Sequence, residues 1–201
     1  MISDDTLHPA PPGTRRLCVM RDGHAVVRDW KIPKPVVLVD TREQQPYSLV
    51  QHHPNWIGGL KFVTLKTVDY SIEGMESLLA LERKSMTDAI QSTMSGRERF
   101  VRSCERLAAF RWKAILIEAT YEEMKSYYHA QDENLLTEAH PNAVCGTYDA
   151  IEAKFGIPII YTSRSRLLAT ERAASWLSKH FTYWWLEQNG QSRVLIDSDG
   201  L

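Results

Sequence analysis

Cysteine is scarce: Cys18, Cys104 and Cys145 are odd in number and far apart. That excludes a disulfide framework and a cysteine-built zinc site, and it suits a reducing interior. No stretch reaches the ~18 uninterrupted apolar residues of a membrane-spanning helix. The opening MISDDTLHPAPPG has neither a basic start nor an apolar segment, so neither a signal nor an anchor is expected, and a cytoplasmic protein is. Excess charge is also missing: 24 Lys and Arg against 25 Asp and Glu leave a net charge of -1. Coating of nucleic acid by bulk electrostatics is thereby excluded, and any basic face must be local. Repeats and low-complexity tracts are lacking as well.

What is present is an ordinary globular composition, 43% hydrophobic and 24% charged over 201 residues, enough for one real core. After an aperiodic tail over 1–14, two β-prone runs flank Asp22-Gly23, a hairpin signal. Pro33 and Pro35 mark the start of a main domain, giving expected segments of 1–35, 36–187 and 188–201. VVLVD (36–40) is a continuous apolar run of the kind buried on both faces. LKFVTLKTVDYSI and SLLALERK read as two extended strands of one hairpin about Gly74 and Met75. SGRERFVRSCERLAAF (95–110) reads as a helix with Ser95 and Glu98 in capping-box spacing. AILIEA is another strand, TYEEMKSYYH a short helix, and PNAVCGTYDAIEAKFG a helix stopped by Gly156. IPIIYTS is a last strand, and RLLATERAASWLSKHFTYWWLEQNG a long amphipathic helix. Strands interleaved with helices predict an α/β layered domain in which one hairpin interrupts a mostly parallel sheet.

The chemistry collects at strand ends. Residues two apart on a strand share a face, so Glu82 and Lys84 point one way and Arg83 the other. Folding the hairpin places Asp69 opposite Leu81 or Glu82, and Asp40 ends the VVLVD strand, so three carboxylates are expected to converge. Such a cluster either takes up protons or binds a cation, and an all-oxygen ligand set suits Mg²⁺ or Mn²⁺. A bound divalent ion would support hydrolysis of a phosphodiester, with Lys84 serving the water or the charged transition state. The structural alternative is a merely charged strand end.

Taken in order, LVDTRE (38–43), VDYSI (68–72) and LERKSMTDAI (81–90) resemble the nuclease domain of the XPF-type structure-specific endonucleases, whose pattern is Val-Asp-x-Arg-Glu, Gly-Asp and Glu-Arg-Lys-x-x-x-Asp. SGRERFVRSCERL and KAILIEA extend the resemblance, which spans Val36 to about Trp185. It implies a restriction-endonuclease-like fold: a central mixed sheet flanked by helices, preceded here by a small N-terminal β-hairpin. It also implies a metal-dependent DNA endonuclease acting on branched, flap or junction DNA in repair, recombination or replication, in a bacterial or phage-infected cell. By the same resemblance, Asp69, Glu82 and the main-chain carbonyl of Arg83 would hold the metal, Lys84 would serve the water, and Asp40 and Glu43 would complete the acidic pocket. Arg42 and Asp88 would support the site. Arg83 and Arg97 would meet DNA phosphates or lock the site, and a homodimer would form through the C-terminal helices.

Val68 departs from the pattern, standing where the family has glycine. No tandem helix-hairpin-helix module is legible after the long helix, so a minimal nuclease domain is expected. Two alternatives stay open: a catalytically silent DNA-binding subunit, and a phage or restriction-type nuclease acting on plain duplex. Arg99, Arg102 and Arg106 share one helix face and read as a phosphate-contacting strip beside an acidic site. QHHPNWIGG lacks a third zinc ligand at suitable spacing and reads as a loop at the mouth of the site, open to DNA. Trp176, Phe181, Trp184 and Trp185 lie at helical spacing and read as core or subunit interface, with a homodimer contact the preferred reading.

Overall fold

Apolar runs and alternating patterns become a sheet here, and helical periodicity supplies its two coats. The computed structural model describes residues 13–21, 24–128 and 139–190, those of 15–21 and 24–30 as backbone alone. Strands β1 (Thr14–Arg21) and β2 (His24–Pro33) pair antiparallel in a two-stranded sheet of their own, as the hairpin signal predicts. The Asp22-Gly23 turn itself lies outside the described residues.

The main sheet contains β3 (Val36–Asp40), β4 (Gly59–Val63), β5 (Tyr70–Ile72), β6 (Leu79–Ser85), β7 (Trp112–Glu118) and β8 (Ile159–Tyr161), in the order β4-β3-β5-β6-β7-β8. It is mixed: β3 with β4, β6 with β7 and β7 with β8 are parallel, while β5 runs antiparallel to both its neighbours. This mixed sheet between helices is the expected fold. One expectation needs correction, because LKFVTLKTVDYSI is not a single strand. Its first part is β4, parallel to β3 on the sheet edge; its last three residues are β5, inserted between β3 and β6. The break falls at 64–69, where the chain must cross from one side of β3 to the other.

Helices α1 (Leu49–His52), α2 (Met86–Thr93), α3 (Arg97–Ala108), α4 (Tyr121–Lys125), α5 (Pro141–Phe155) and α6 (Arg166–Gln188) complete the chain. On one face, Leu38, Ala80, Ile115 and Ile117 pack with Ala89 of α2, Phe100 and Leu107 of α3, and Val144 and Tyr148 of α5. On the other, Val39, Tyr70, Leu81 and Leu116 pack with Leu49 of α1 and with Ala173, Trp176 and Leu177 of α6. Gly156 ends α5 at φ 60°, the left-handed cap its position predicts. The N-cap of α3 is Gly96 and makes no side-chain bond, so the Ser95/Glu98 capping box is not formed. Glu98 pairs instead with Arg102 one turn on.

Trp176 and Phe181 are each only 7% exposed within this single chain. The preferred interface reading is therefore corrected for these two: their position over the sheet makes them core. Trp184 and Trp185 sit half-buried against the same cluster.

Candidate active site

The hairpin that carries the acids turns at Gly74, which takes a positive φ of 82° that an L side chain resists. Its register sets Tyr70 opposite Leu81, and the next pair outward is Asp69 with Glu82. The Asp69 carboxylate accepts the Arg83 N–H at 2.7 Å, and the Asp69 carbonyl accepts the Asp40 N–H at 2.8 Å. Asp69 is thus fixed from both neighbouring strands.

Alternation along β6 sorts its charges. Glu82 and Lys84 follow Ala80 onto the α2–α3 face, and Arg83 follows Leu81 onto the α6 face. The Lys84 Nζ stands 3.6 Å from Glu82 Oε1 and 4.7 Å from the centre of the Phe100 ring. Burial is the main force on both acids. It lifts the Asp69 carboxyl to about 8, with the nearby Glu82 charge adding to it and the Arg83 N–H opposing. It raises Glu82 as well, against the relief that Lys84 supplies. Two carboxyls that resist ionisation beside a single ammonium are short of positive charge, and a cation would supply it.

Asp40 is not the third ligand expected. One carboxylate oxygen accepts the Arg42 N–H at 2.8 Å and the Arg42 Nε at 2.7 Å; the other accepts Arg42 Nη2 at 3.0 Å and the Leu65 N–H at 2.7 Å. The Arg42 guanidinium, opposed by burial and aided by those N–H groups, holds its carboxyl below the usual range. Its acceptor positions are taken up in pinning the loops after β3 and β4. Among the described residues no group of three or more His, Cys, Asp or Glu side chains stands together as a ready metal cluster. The pair of Asp69 and Glu82 still fits Mg²⁺, which characteristically takes one or two carboxylates and keeps several waters.

Glu43 and Arg83 line the same cleft as that pair, but the Arg83 side chain is engaged with Glu43 and with Glu118. Arg83 gives Nε at 2.9 Å and Nη2 at 2.8 Å to the two Glu118 oxygens, and Nη1 lies 3.3 Å from Glu43 Oε1. Its side chain is 9% exposed. The expectation that Arg83 meets phosphate is corrected: both carboxylates hold it inward, and a lock is what the geometry shows. Glu43 also accepts the Gln45 N–H at 2.7 Å, and its charge adds to the upward push on Asp69 and Glu82. Sequence reasoning missed Glu118, Arg166 and Tyr47 in this network. The one available signal was that AILIEA, like VVLVD, ends in an acid at a strand terminus.

Around these groups opens a cleft of about 730 Å³ with Asp69, Glu82 and Lys84 on its floor. Arg42 and Lys66 line one side, from the loops after β3 and β4, and Ser92, Gly96, Arg99 and Arg106 line the other, from α2 and α3. Of the expected arginine strip, Arg99 and Arg106 reach the cleft. Arg102 pairs with Glu98 at 3.6 Å, and Arg97 bonds the Thr147 hydroxyl at 2.9 Å, both away from it. Asp88 stands at the rim and accepts the Ser85 hydroxyl at 2.7 Å, while the Ser85 oxygen caps the Asp88 N–H of α2. It braces the helix start where a brace on basic residues was expected. The QHHPNWIGG segment is no mouth loop. Part of it is α1, His53 stacks on Trp56 at 4.8 Å, and the Trp56 carbonyl accepts the Ser178 hydroxyl of α6.

Comparison with known proteins agrees with this fold. The family model of the ERCC4 domain matches residues 33–170. Among solved structures, XPF from Aeropyrum pernix superposes with a TM-score of 0.55 at 18% identity, over 73% of this chain and 61% of that one. XPF from Aeropyrum pernix in complex with DNA gives the same score and identity over 79% and 74%. This chain thus spans about three fifths of the length of the first. No curated protein matches. Among the described residues no helix is long and apolar enough to cross a membrane.

Proposed function

We propose, from the premise that this chain belongs to the ERCC4 domain family, that it is a divalent-metal-dependent DNA endonuclease acting on branched or flapped DNA. The observation that carries the reading is the pairing of Asp69 with Glu82 on adjacent strand ends, with Lys84 against Glu82, at the floor of a cleft whose sides present Arg99, Arg106 and Lys66.

Asp69 and Glu82 would hold Mg²⁺ or Mn²⁺. The main-chain carbonyl of Arg83 would assist, because in an extended strand it shares an edge with the N–H that reaches Asp69. When bound, the ion supplies Lewis acidity: it makes water a better nucleophile at neutral pH and offsets charge that builds on phosphate. The chain's own groups do the rest. Lys84, fixed by Glu82 and Phe100, presents a cation to the scissile phosphate or its water. Arg99, Arg106 and Lys66 engage the flanking phosphates and set where the backbone lies. The Arg83 guanidinium stays engaged with Glu118 and Glu43 at the edge of the cleft rather than reaching for phosphate.

Two arrangements in the cleft favour an active enzyme over a silent DNA-binding subunit. Both floor carboxylates are retained in surroundings that raise their proton affinity, and the ammonium is directed at one of them. The test is a Mg²⁺ and Mn²⁺ titration with end-labelled duplex, flap, fork and four-way DNA of matched sequence. Cleavage that requires the ion and favours flap, fork or junction supports the reading. Equal or better cleavage of plain duplex would reassign the substrate, and no cleavage at any ion concentration would leave the silent subunit.

A further inference from the structure

At the edge of the cleft, where the Arg83 side chain points to the opposite face of the sheet from Glu82, two arginines and two glutamates interlock. Glu118 is the last residue of β7, and its side chain is 12% exposed. One oxygen accepts both Arg83 Nε and Arg166 Nη1, each at 2.9 Å; the other accepts Arg83 Nη2 at 2.8 Å. Arg166 is the first residue of α6. Its other guanidinium nitrogen donates to the Gln45 carbonyl, and its guanidinium carbon lies 4.7 Å from the centre of the Tyr47 ring, which Arg83 approaches at 5.7 Å. Tyr47 in turn stacks on Tyr70 of β5 and donates its N–H to the Tyr70 hydroxyl at 3.0 Å.

The charges balance, two against two, and the contacts close a loop. From Glu118 they run through Arg166 to Gln45 and Tyr47 in the segment after β3, and through Arg83 to Glu43 in the same segment. That segment lines the cleft at Arg42, Glu43, Gln44 and Gln45. Arg83 is also the residue whose N–H holds the Asp69 carboxylate.

We propose that Glu118 and Arg166 are positioning residues for the candidate active site, forming a strut that fixes the 41–47 segment and the end of β6 from the far face of the sheet. This rests on the nuclease reading only for its catalytic consequence; the strut itself is a property of the fold. Glu118 works through Arg83. Without its bidentate acceptor, a nearly buried guanidinium keeps Glu43 alone and must shift toward it or toward the cleft, carrying the main chain beside Asp69 with it. Arg166 works on the segment directly, through the Gln45 carbonyl and the Tyr47 ring.

The experiment uses the full chain with Glu118→Gln, which keeps the shape and removes the charge, and Arg166→Ala, whose half-exposed side chain is the safer to remove. Amide hydrogen exchange over 41–47 reads the strut without turnover. Manganese affinity by electron paramagnetic resonance and the separation of kcat from KM on labelled DNA read its consequence. Both variants should speed exchange in 41–47 by about tenfold or more and leave α3 and α5 protected, as a local opening does. Both should weaken Mn²⁺ affinity or kcat by about 10–100-fold, with KM for DNA nearly unchanged, at a temperature where circular dichroism shows them folded. Unchanged exchange in 41–47 overturns the strut, whatever the turnover. So does faster exchange spread evenly through every element with normal kcat. A wild-type chain that cuts no DNA refutes the nuclease reading while the exchange result still decides the strut.

Discussion

Replacing Asp69 with asparagine should make the metal-free protein more stable at alkaline pH while abolishing cleavage. Asparagine keeps an oxygen for the Arg83 N–H and removes the charge that burial opposes. The sign follows from the proton balance. Below the unfolded value near 3.8 both states hold the proton and the group contributes nothing. Between 3.8 and about 8 the unfolded chain ionises while the folded one stays protonated. The native state then binds more protons, so stability falls as pH rises, and above about 8 the loss is complete. One proton changes stability by at most about 1.4 kcal/mol per pH unit, which bounds the whole climb at about 6 kcal/mol. Part of that burden is shared with Glu82 and survives the substitution, so a gain of about 2–3 kcal/mol near pH 8 is expected, or about 5–10 °C in Tm for a chain of this size. Urea unfolding in EDTA, followed by circular dichroism near pH 4 and near pH 8, measures it. Excess Mg²⁺ should then raise the wild-type Tm at pH 8 and leave the variant unmoved. A variant no more stable than wild type at pH 8, or one that gains equally at pH 4, would show that the Asp69 carboxyl is not held in a charge-poor pocket.

Lys84→Ala should lower single-turnover cleavage by about 100-fold or more while changing DNA affinity in EDTA little, since its ammonium is engaged with Glu82 and Phe100; equal losses in both would make it a DNA contact only. Arg99→Ala and Arg106→Ala should each weaken DNA binding and reduce the slope of log affinity against log salt by about one, whereas Arg102→Ala, whose partner is Glu98, should leave the slope as it is. Fluorescence anisotropy across a salt series separates these outcomes. Phe181→Ala should cost about 3–5 kcal/mol in urea unfolding, independent of protein concentration, because the ring fills this chain's own core; a loss that disappears on dilution would return the ring to a subunit interface.

Local period alone determined much of this protein. The continuous run of VVLVD marked a central strand, the two-residue alternation of ALERK put Glu82 with Lys84 and against Arg83, and the turn at Gly74 and Met75 brought Asp69 opposite Leu81 or Glu82, a choice the strand register then settled. Each needs only neighbouring residues and the pleat. Tertiary structure decided what those charges touch. Asp40 looked like a ligand until Arg42 folded back onto it and the loop after β4 brought the Leu65 N–H, 25 residues on, to one of its oxygens. Arg83 looked like a phosphate contact until β7 placed Glu118 beside it, 35 residues on. Trp176 and Phe181 looked like an interface until α6 lay across the sheet. An ionic partner or a packing surface is set by sheet order and by the side on which the chain crosses, and neither is written in the spacing of nearby residues, so the sequence placed the charges at the strand ends and the fold divided them into a floor and a frame.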